Sequence, residues 1–156
     1  MNMYLAQHGE AASEAEDPAR PLNQRGREDV ERVARHAATL GLRIAEIRHS
    51  DKLRARQTAE IFARHLSPSR GIRETDGMAP EDAPGKAMAA IQAAVEPLML
   101  VGHLPHLRRL VSSLLVGDAD REIVRFRNGA IVCLVQAGEE WRLQWILTPE
   151  LVPEHS

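Results

Sequence analysis

Two histidines follow short apolar runs in this sequence, His8 in LAQHGEA and His103 in LVGHLPHL. Arg54 opens a third segment, SDKLRARQTAEIF, at residues 50–62. These residue types suit phosphoryl transfer. A neutral imidazole nitrogen is available near pH 7 to attack phosphorus. A phosphoryl group in transfer needs positive charge and aligned donors around its equatorial oxygens. Arg54, His103 and the amides of nearby helix N-termini have the chemistry to supply them. Each residue alone is unremarkable. A lone His-Gly pair is a weak signal, and a lone arginine on a helix is usually solvated. The assignment therefore depends on whether the fold brings them together.

The elements that must position them alternate. Residues 3–6 read as a short strand that ends just before His8. Between Gln24 and Leu40, the spacing of Val30, Val33, Ala34, Ala37 and Leu40 predicts an amphipathic helix, with Asn23 as N-cap and Gly41 just past its end. Residues 44–49 read as a second strand. Ser50 then reads as the cap of a helix that ends near Leu66, with Asp51 in its first turn and Leu53, Ile61 and Phe62 on its apolar face. A short strand near residues 71–74 and a helix over 86–95 follow. The run PLMLV at 97–101 reads as a strand buried on both faces, and Pro105 suits the first turn of a helix reaching Val116. Residues 122–147 are expected to hold two or three strands, with a hairpin turn at Gly138-Glu139-Glu140. This alternation predicts one α/β domain over residues 1–156, a mostly parallel central sheet with helices on both faces. In such folds ligands gather beyond the carboxyl ends of the strands, where His8 and His103 stand.

Composition narrows the function classes. The net charge is −2, from 20 basic and 22 acidic residues, so there is no global field to attract nucleic acid. Aromatic residues are 3% of the chain, too few for a base-stacking platform. No apolar run has the length of a membrane helix, and the first residues lack a signal-peptide pattern, so the expected compartment is the cytoplasm. The single cysteine, Cys133, lies in AIVCLV and reads as a small buried hydrophobe.

With these pieces in order, the chain resembles the histidine phosphatase superfamily, and within it the SixA-like phosphohistidine phosphatases. LAQHGEA resembles the family's Arg-His-Gly motif with one change. ARPLNQRG at residues 19–26 resembles the segment that opens the first helix in SixA-like members. SDKLRARQTAEIF is similar to a Ser-Pro-x-x-Arg-Ala-x-Gln-Thr segment, and LVGHLPHL to the second histidine motif. The resemblance implies a phosphoglycerate mutase-like, three-layer α/β/α fold without a cap insertion. It also implies that His8 accepts the phosphoryl group, Arg54 clamps its oxygens and His103 donates to them. Arg20 matches an arginine placed near the phosphate, and Gln7 and Gly9 flank His8 as further phosphate contacts. No metal or organic cofactor is implied, and His103-x-x-His106 reads as a histidine followed by one at the pocket edge or surface rather than as a metal pair. The implied substrate is a phosphohistidine on a phosphocarrier or phosphotransfer protein.

Gln7 stands where the family usually has arginine, and keeps an amide donor while losing the charge. The sequence leaves four outcomes open: a phosphohistidine phosphatase, a small-molecule phosphomonoesterase, a weakened module that binds phosphate or a phosphoprotein, or a phosphocarrier whose His8 is charged and discharged by protein partners. Asp51 stands where the family often has proline. A general acid, if one is needed, would come from Glu74, Asp76, Glu81 or Asp82. Phosphohistidine relaxes that need, because an imidazole protonated on its other nitrogen departs as a neutral ring.

Overall fold

A computed structural model describes residues 1–154. Six strands and four α-helices alternate: β1 (Asn2–Gln7), α1 (Gln24–Thr39), β2 (Glu46–His49), α2 (Leu53–Leu66), β3 (Ile72–Glu74), α3 (Gly85–Ala93), β4 (Leu98–Gly102), α4 (His106–Val116), β5 (Ile131–Ala137) and β6 (Glu140–Leu147). The sheet order is β3-β2-β4-β1-β5-β6. The first four of these are mutually parallel, and β5 and β6 run antiparallel at one side.

Two apolar clusters make the layers. One packs Val30, Val33 and Ala34 of α1 and Ala59 and Phe62 of α2 on Tyr4, Ala6, Met99 and Val101 of the sheet. The other packs Ile91 of α3 and Leu107, Leu110 and Val111 of α4 on Met3, Leu5, Leu98 and Leu100. Successive residues of β1 and β4 thus point into opposite layers, as a strand period of two requires. Both faces are covered, which is why β4 carries an unbroken apolar run. Burying a side chain such as Phe62 contributes about 1.5–3 kcal/mol. Cys133 is fully buried in the first layer, and burial pushes its thiol up to about 11, consistent with a packing residue.

Helix α1 begins and ends on the expected signals. The Asn23 side chain accepts from the Gly26 amide at 2.8 Å, and Gly41 has φ +66° beyond the last turn. Gly26 allows a close approach that sets the loop after β1. A Cβ there would lie 2.0 Å from the Glu10 carbonyl oxygen.

Two expectations are corrected. Helix α2 begins at Leu53 with Lys52 in the N-cap position, so Ser50 is not its cap and Asp51 lies outside it. Leu53 is 36% exposed and belongs to no core cluster, whereas Thr58 and Ala59 face inward. The end of the chain contributes two strands, as expected, and residues 122–130 lie outside them.

Candidate active site

The carboxyl ends of β1, β4 and β2 converge, in a sheet where β4 lies between the other two. His8 follows β1. Its amide donates to the Gly102 carbonyl at 3.0 Å, and its carbonyl accepts from Asn128 Nδ2 at 3.1 Å and from the Gly129 amide at 3.2 Å. The residue is therefore held by main chain on both sides. Its ring Nδ1 lies 2.7 Å from the Gly9 carbonyl oxygen. A carbonyl can only accept, so Nδ1 carries the proton and Nε2 keeps its lone pair. Burial pushes the His8 pKa down to about 4, and the charges of Arg54 and Arg20 act in the same direction, while the Gly9 bond opposes them.

His103 follows β4, with its ring centroid 5.0 Å from that of His8. Its Nε2 lies 2.5 Å from Ser50 Oγ, the hydroxyl freed by the later start of α2. Burial, then His8 and Arg54, push its pKa down to about 3. Both imidazoles are thus neutral near pH 7.

Arg54 lies in the first turn of α2. Burial and the charge of Arg20 make its guanidinium less basic than usual, and Asp51 and Glu14 partly offset this. Arg20 has φ +50° and donates from Nε to the Ala12 carbonyl at 3.0 Å. The Arg20 conformation is one that side-chain-bearing residues seldom adopt. Neither arginine has a carboxylate within 4 Å among the described residues. Like charges brought together with no carboxylate in ion-pair contact, beside two neutral imidazoles, suit an anion.

The structure thus brings His8, His103, Arg54 and Arg20 together. Gln7 is 8% exposed, and its Oε1 is buried without a hydrogen-bond partner. The Gly9 amide donates to Thr58 Oγ1 at 3.0 Å, so that amide is already engaged. Thr58 in turn donates to the Arg54 carbonyl at 2.8 Å, tying the loop after β1 to the first turn of α2. Thr58, Asn128 and the Ser50 contact carry no role in the sequence reading. The spacing of Arg54 and Thr58 on one helix face was a usable signal, whereas nothing near Asn128 marks it as a partner for a residue at the opposite end of the chain.

Two candidates move. His106 is fully buried on α4, not at a pocket edge, and burial lowers its pKa despite the Asp82 carboxylate and Gly77 carbonyl nearby. Among the described residues no group of three His, Cys, Asp or Glu side chains stands ready to hold a metal ion. Of the carboxylates considered as general acids, Glu74, Asp76 and Asp82 line a cleft of about 170 Å³ together with Asp51, and Glu81 does not.

Comparison with known proteins identifies the frame. The model of the histidine phosphatase superfamily (branch 1) matches residues 3–93. The chain belongs to the histidine phosphatase superfamily. Membership implies a phosphatase-type hydrolase. The protein histidine phosphatase SixA, solved with tungstate, superposes on this superfamily member with a TM-score of 0.86 at 25% identity, covering 97% of this chain and 99% of that one. An uncharacterised protein of Picosynechococcus sp. is 33% identical over 96% of this chain and 98% of its own length. The α-ribazole phosphatase of Shigella flexneri shares the fold, with a TM-score of 0.72 at 13% identity over 96% of this chain and 97% of that one. The phosphoglycerate mutase-like α/β architecture is therefore established for this superfamily member. No helix among its described residues is long and apolar enough to cross a membrane.

Proposed function

We propose that the protein is a metal-independent phosphohistidine phosphatase acting on a phosphorylated protein in the cytoplasm. The observation that carries the reading is the state of His8: neutral, with Nδ1 donating to Gly9, and Nε2 left as a nucleophile beside His103 and two arginines that form no ion pair. In the first step the Nε2 lone pair attacks phosphorus. The bond to the substrate imidazole breaks, and that ring departs neutral if its other nitrogen carries a proton. In the second step water attacks the phosphoryl group on His8, phosphate leaves, and Nε2 regains its lone pair. Arg54 and Arg20 neutralise the equatorial oxygens, and His103 donates to one of them once released from Ser50.

The likeness to SixA supports a phosphohistidine substrate. So does the short connection between β3 and α3, residues 75–84, which supplies no cap over the site. An open site admits a side chain carried on another protein. Gln7 favours one second reading, a weakened module that binds phosphate or a phosphoprotein without turning it over. The deciding experiment is hydrolysis of a phosphohistidine-bearing protein with chelator present, by wild type, His8→Ala and Gln7→Arg. The expected result is wild-type turnover, its loss in His8→Ala, and a rise of about 10- to 100-fold in Gln7→Arg. Turnover confined to Gln7→Arg would give the binding module the lead. Turnover surviving in His8→Ala would remove the mechanism.

A further inference from the structure

We propose that Lys52 supplies the cationic phosphoryl contact that residue 7 does not, so that the charge enters the site from the β2 side of His103 instead of the β1 side. The inference rests on the phosphatase reading above and concerns a residue that the family's motif leaves unspecified.

Three observations carry it. First, no charge reaches the site from the end of β1. Gln7 is buried and uncharged, and its Oε1 has no partner. Second, Lys52 is anchored at the site from the other side. Its amide donates to Ser50 Oγ at 3.3 Å, and the same oxygen holds His103 Nε2. Its charge opposes protonation of the His103 ring, after burial, His8 and Arg54. Third, its charge is not spent elsewhere. Lys52 is half-buried in the N-cap position of α2, makes no side-chain cap bond, and has no carboxylate within 4 Å among the described residues.

Lys52 thus adds a like charge on the His103 side to those of Arg54 and Arg20, which act on His8. Such a grouping raises the energy of the empty site and is relieved by a tetrahedral oxyanion. Lysine suits the task in a way a fixed guanidinium does not. Its ammonium is a point charge on a flexible stem and can follow the phosphoryl group as it passes from the substrate to His8. The occupant is the phosphoryl group itself, so Lys52 would be a further substrate-contacting residue of the same reaction.

The test is tungstate binding by calorimetry to the full chain, with variants Lys52→Met, Lys52→Arg, Gln7→Arg and the double variant Gln7→Arg/Lys52→Met, and Arg54→Ala as control. Met keeps the aliphatic stem, and no cap bond is lost, so melting temperatures should match wild type. Lys52→Met should weaken tungstate binding about 10- to 100-fold, as loss of a charged contact does. Lys52→Arg should stay within about 3-fold of wild type. In the Gln7→Arg background the Lys52→Met loss should shrink to under about 3-fold, because the charge is restored from β1. Unchanged binding in Lys52→Met, with binding lost in Arg54→Ala, would overturn the role of Lys52 and leave the phosphatase reading standing. An equal loss in both backgrounds would overturn the exchange between positions 7 and 52. Failure of wild type to bind tungstate at all would overturn both this inference and the reading beneath it.

Discussion

Acidification from pH 7 to pH 5 should destabilise this protein through the two buried histidines at the ends of β1 and β4. His8 and His103 are 9% and 1% exposed, and burial holds their pKa values at about 4 and about 3, against 6.5 for a free imidazole. The unfolded chain therefore binds protons at these positions that the folded chain refuses. Stability rises with pH wherever the unfolded state binds more protons. The contribution of each histidine is complete above about pH 6.5 and is lost as pH falls towards its folded pKa. At pH 5 each unfolded imidazole is almost fully protonated while each folded one is almost neutral. Between pH 7 and pH 5 the loss is about 2 kcal/mol per histidine, or about 4 kcal/mol together. For a chain of this length that lowers the melting temperature by about 8–15 °C. Urea unfolding at half-unit pH steps measures it, with His8→Asn and His103→Asn each expected to remove about 2 kcal/mol of the loss, while buried His106, whose pKa burial also lowers, adds a slope of the same sign that both variants keep. Proton NMR of the ring Hε1 resonances gives a direct check, since neither His8 nor His103 should titrate above pH 5. A flat stability curve, or a slope as steep in both variants as in wild type, would refute the claim that these rings are held neutral by burial.

Three further outcomes follow from single contacts. Thr58→Val removes the acceptor for the Gly9 amide and the donor to the Arg54 carbonyl, and should cost about 1–3 kcal/mol in urea unfolding together with a fall in turnover. Gly26→Ala forces a Cβ against the Glu10 carbonyl oxygen, a backbone atom that cannot step aside as a side chain does. Thermal unfolding should register a loss of about 3 kcal/mol. Ser50→Ala leaves His103 Nε2 without its partner, and should weaken tungstate binding about 10-fold and cost about 1–3 kcal/mol in urea unfolding.

Elements whose signals are local were legible in the sequence. Asn23 and Gly41 bracket α1 because a cap and a left-handed terminus act within a few residues. The run at 97–101 marks β4 because a strand between two helical layers has no polar face. Ser50 misled for a physical reason. A serine before an apolar helical pattern has the form of an N-cap, but its hydroxyl is taken by His103, a contact across 53 residues, and α2 starts later. His106 was misplaced in the same way. Its position one residue after Pro105 is consistent with either face of α4, and only the packing of α4 on the sheet selects the buried one. Residues 122–130 look strand-like, yet the segment leaves the ladder and delivers Asn128 and Gly129 to the backbone of His8. His8 and His103 stood out in the sequence because they follow apolar strands, and Arg54 and Arg20 through the motif resemblance, and the fold places the four near one another. Thr58 and Asn128 were not assigned, because holding a nucleophile in place requires only a donor or acceptor, and many residues qualify.

The same backbone contacts explain how glutamine can occupy position 7. The Gln7 amide donates to the Ala130 carbonyl at 3.2 Å, and its carbonyl accepts from Gly129 at 3.0 Å. In the sheet, residue 7 is in register with Gly102 of β4, and the His8 amide is bonded to the carbonyl of that same residue. None of these bonds uses the side chain of residue 7. The position of the His8 main chain is therefore independent of whether that side chain is charged, and exchange of arginine for glutamine alters the field beside His8 without moving it. A change of charge at fixed geometry can be offset by a charge from another direction, whereas a displaced nucleophile cannot. Geometry held by main chain is the condition that lets a cation at the N-cap of α2 offset part of the charge missing at position 7. It also predicts that Gln7→Arg will change oxyanion affinity and rate while the hydrogen-exchange protection of the His8 amide, bonded to Gly102, stays as in wild type. Loss of that protection would mean that the side chain at position 7 helps to hold the strand end, and the separation of charge from geometry would fail.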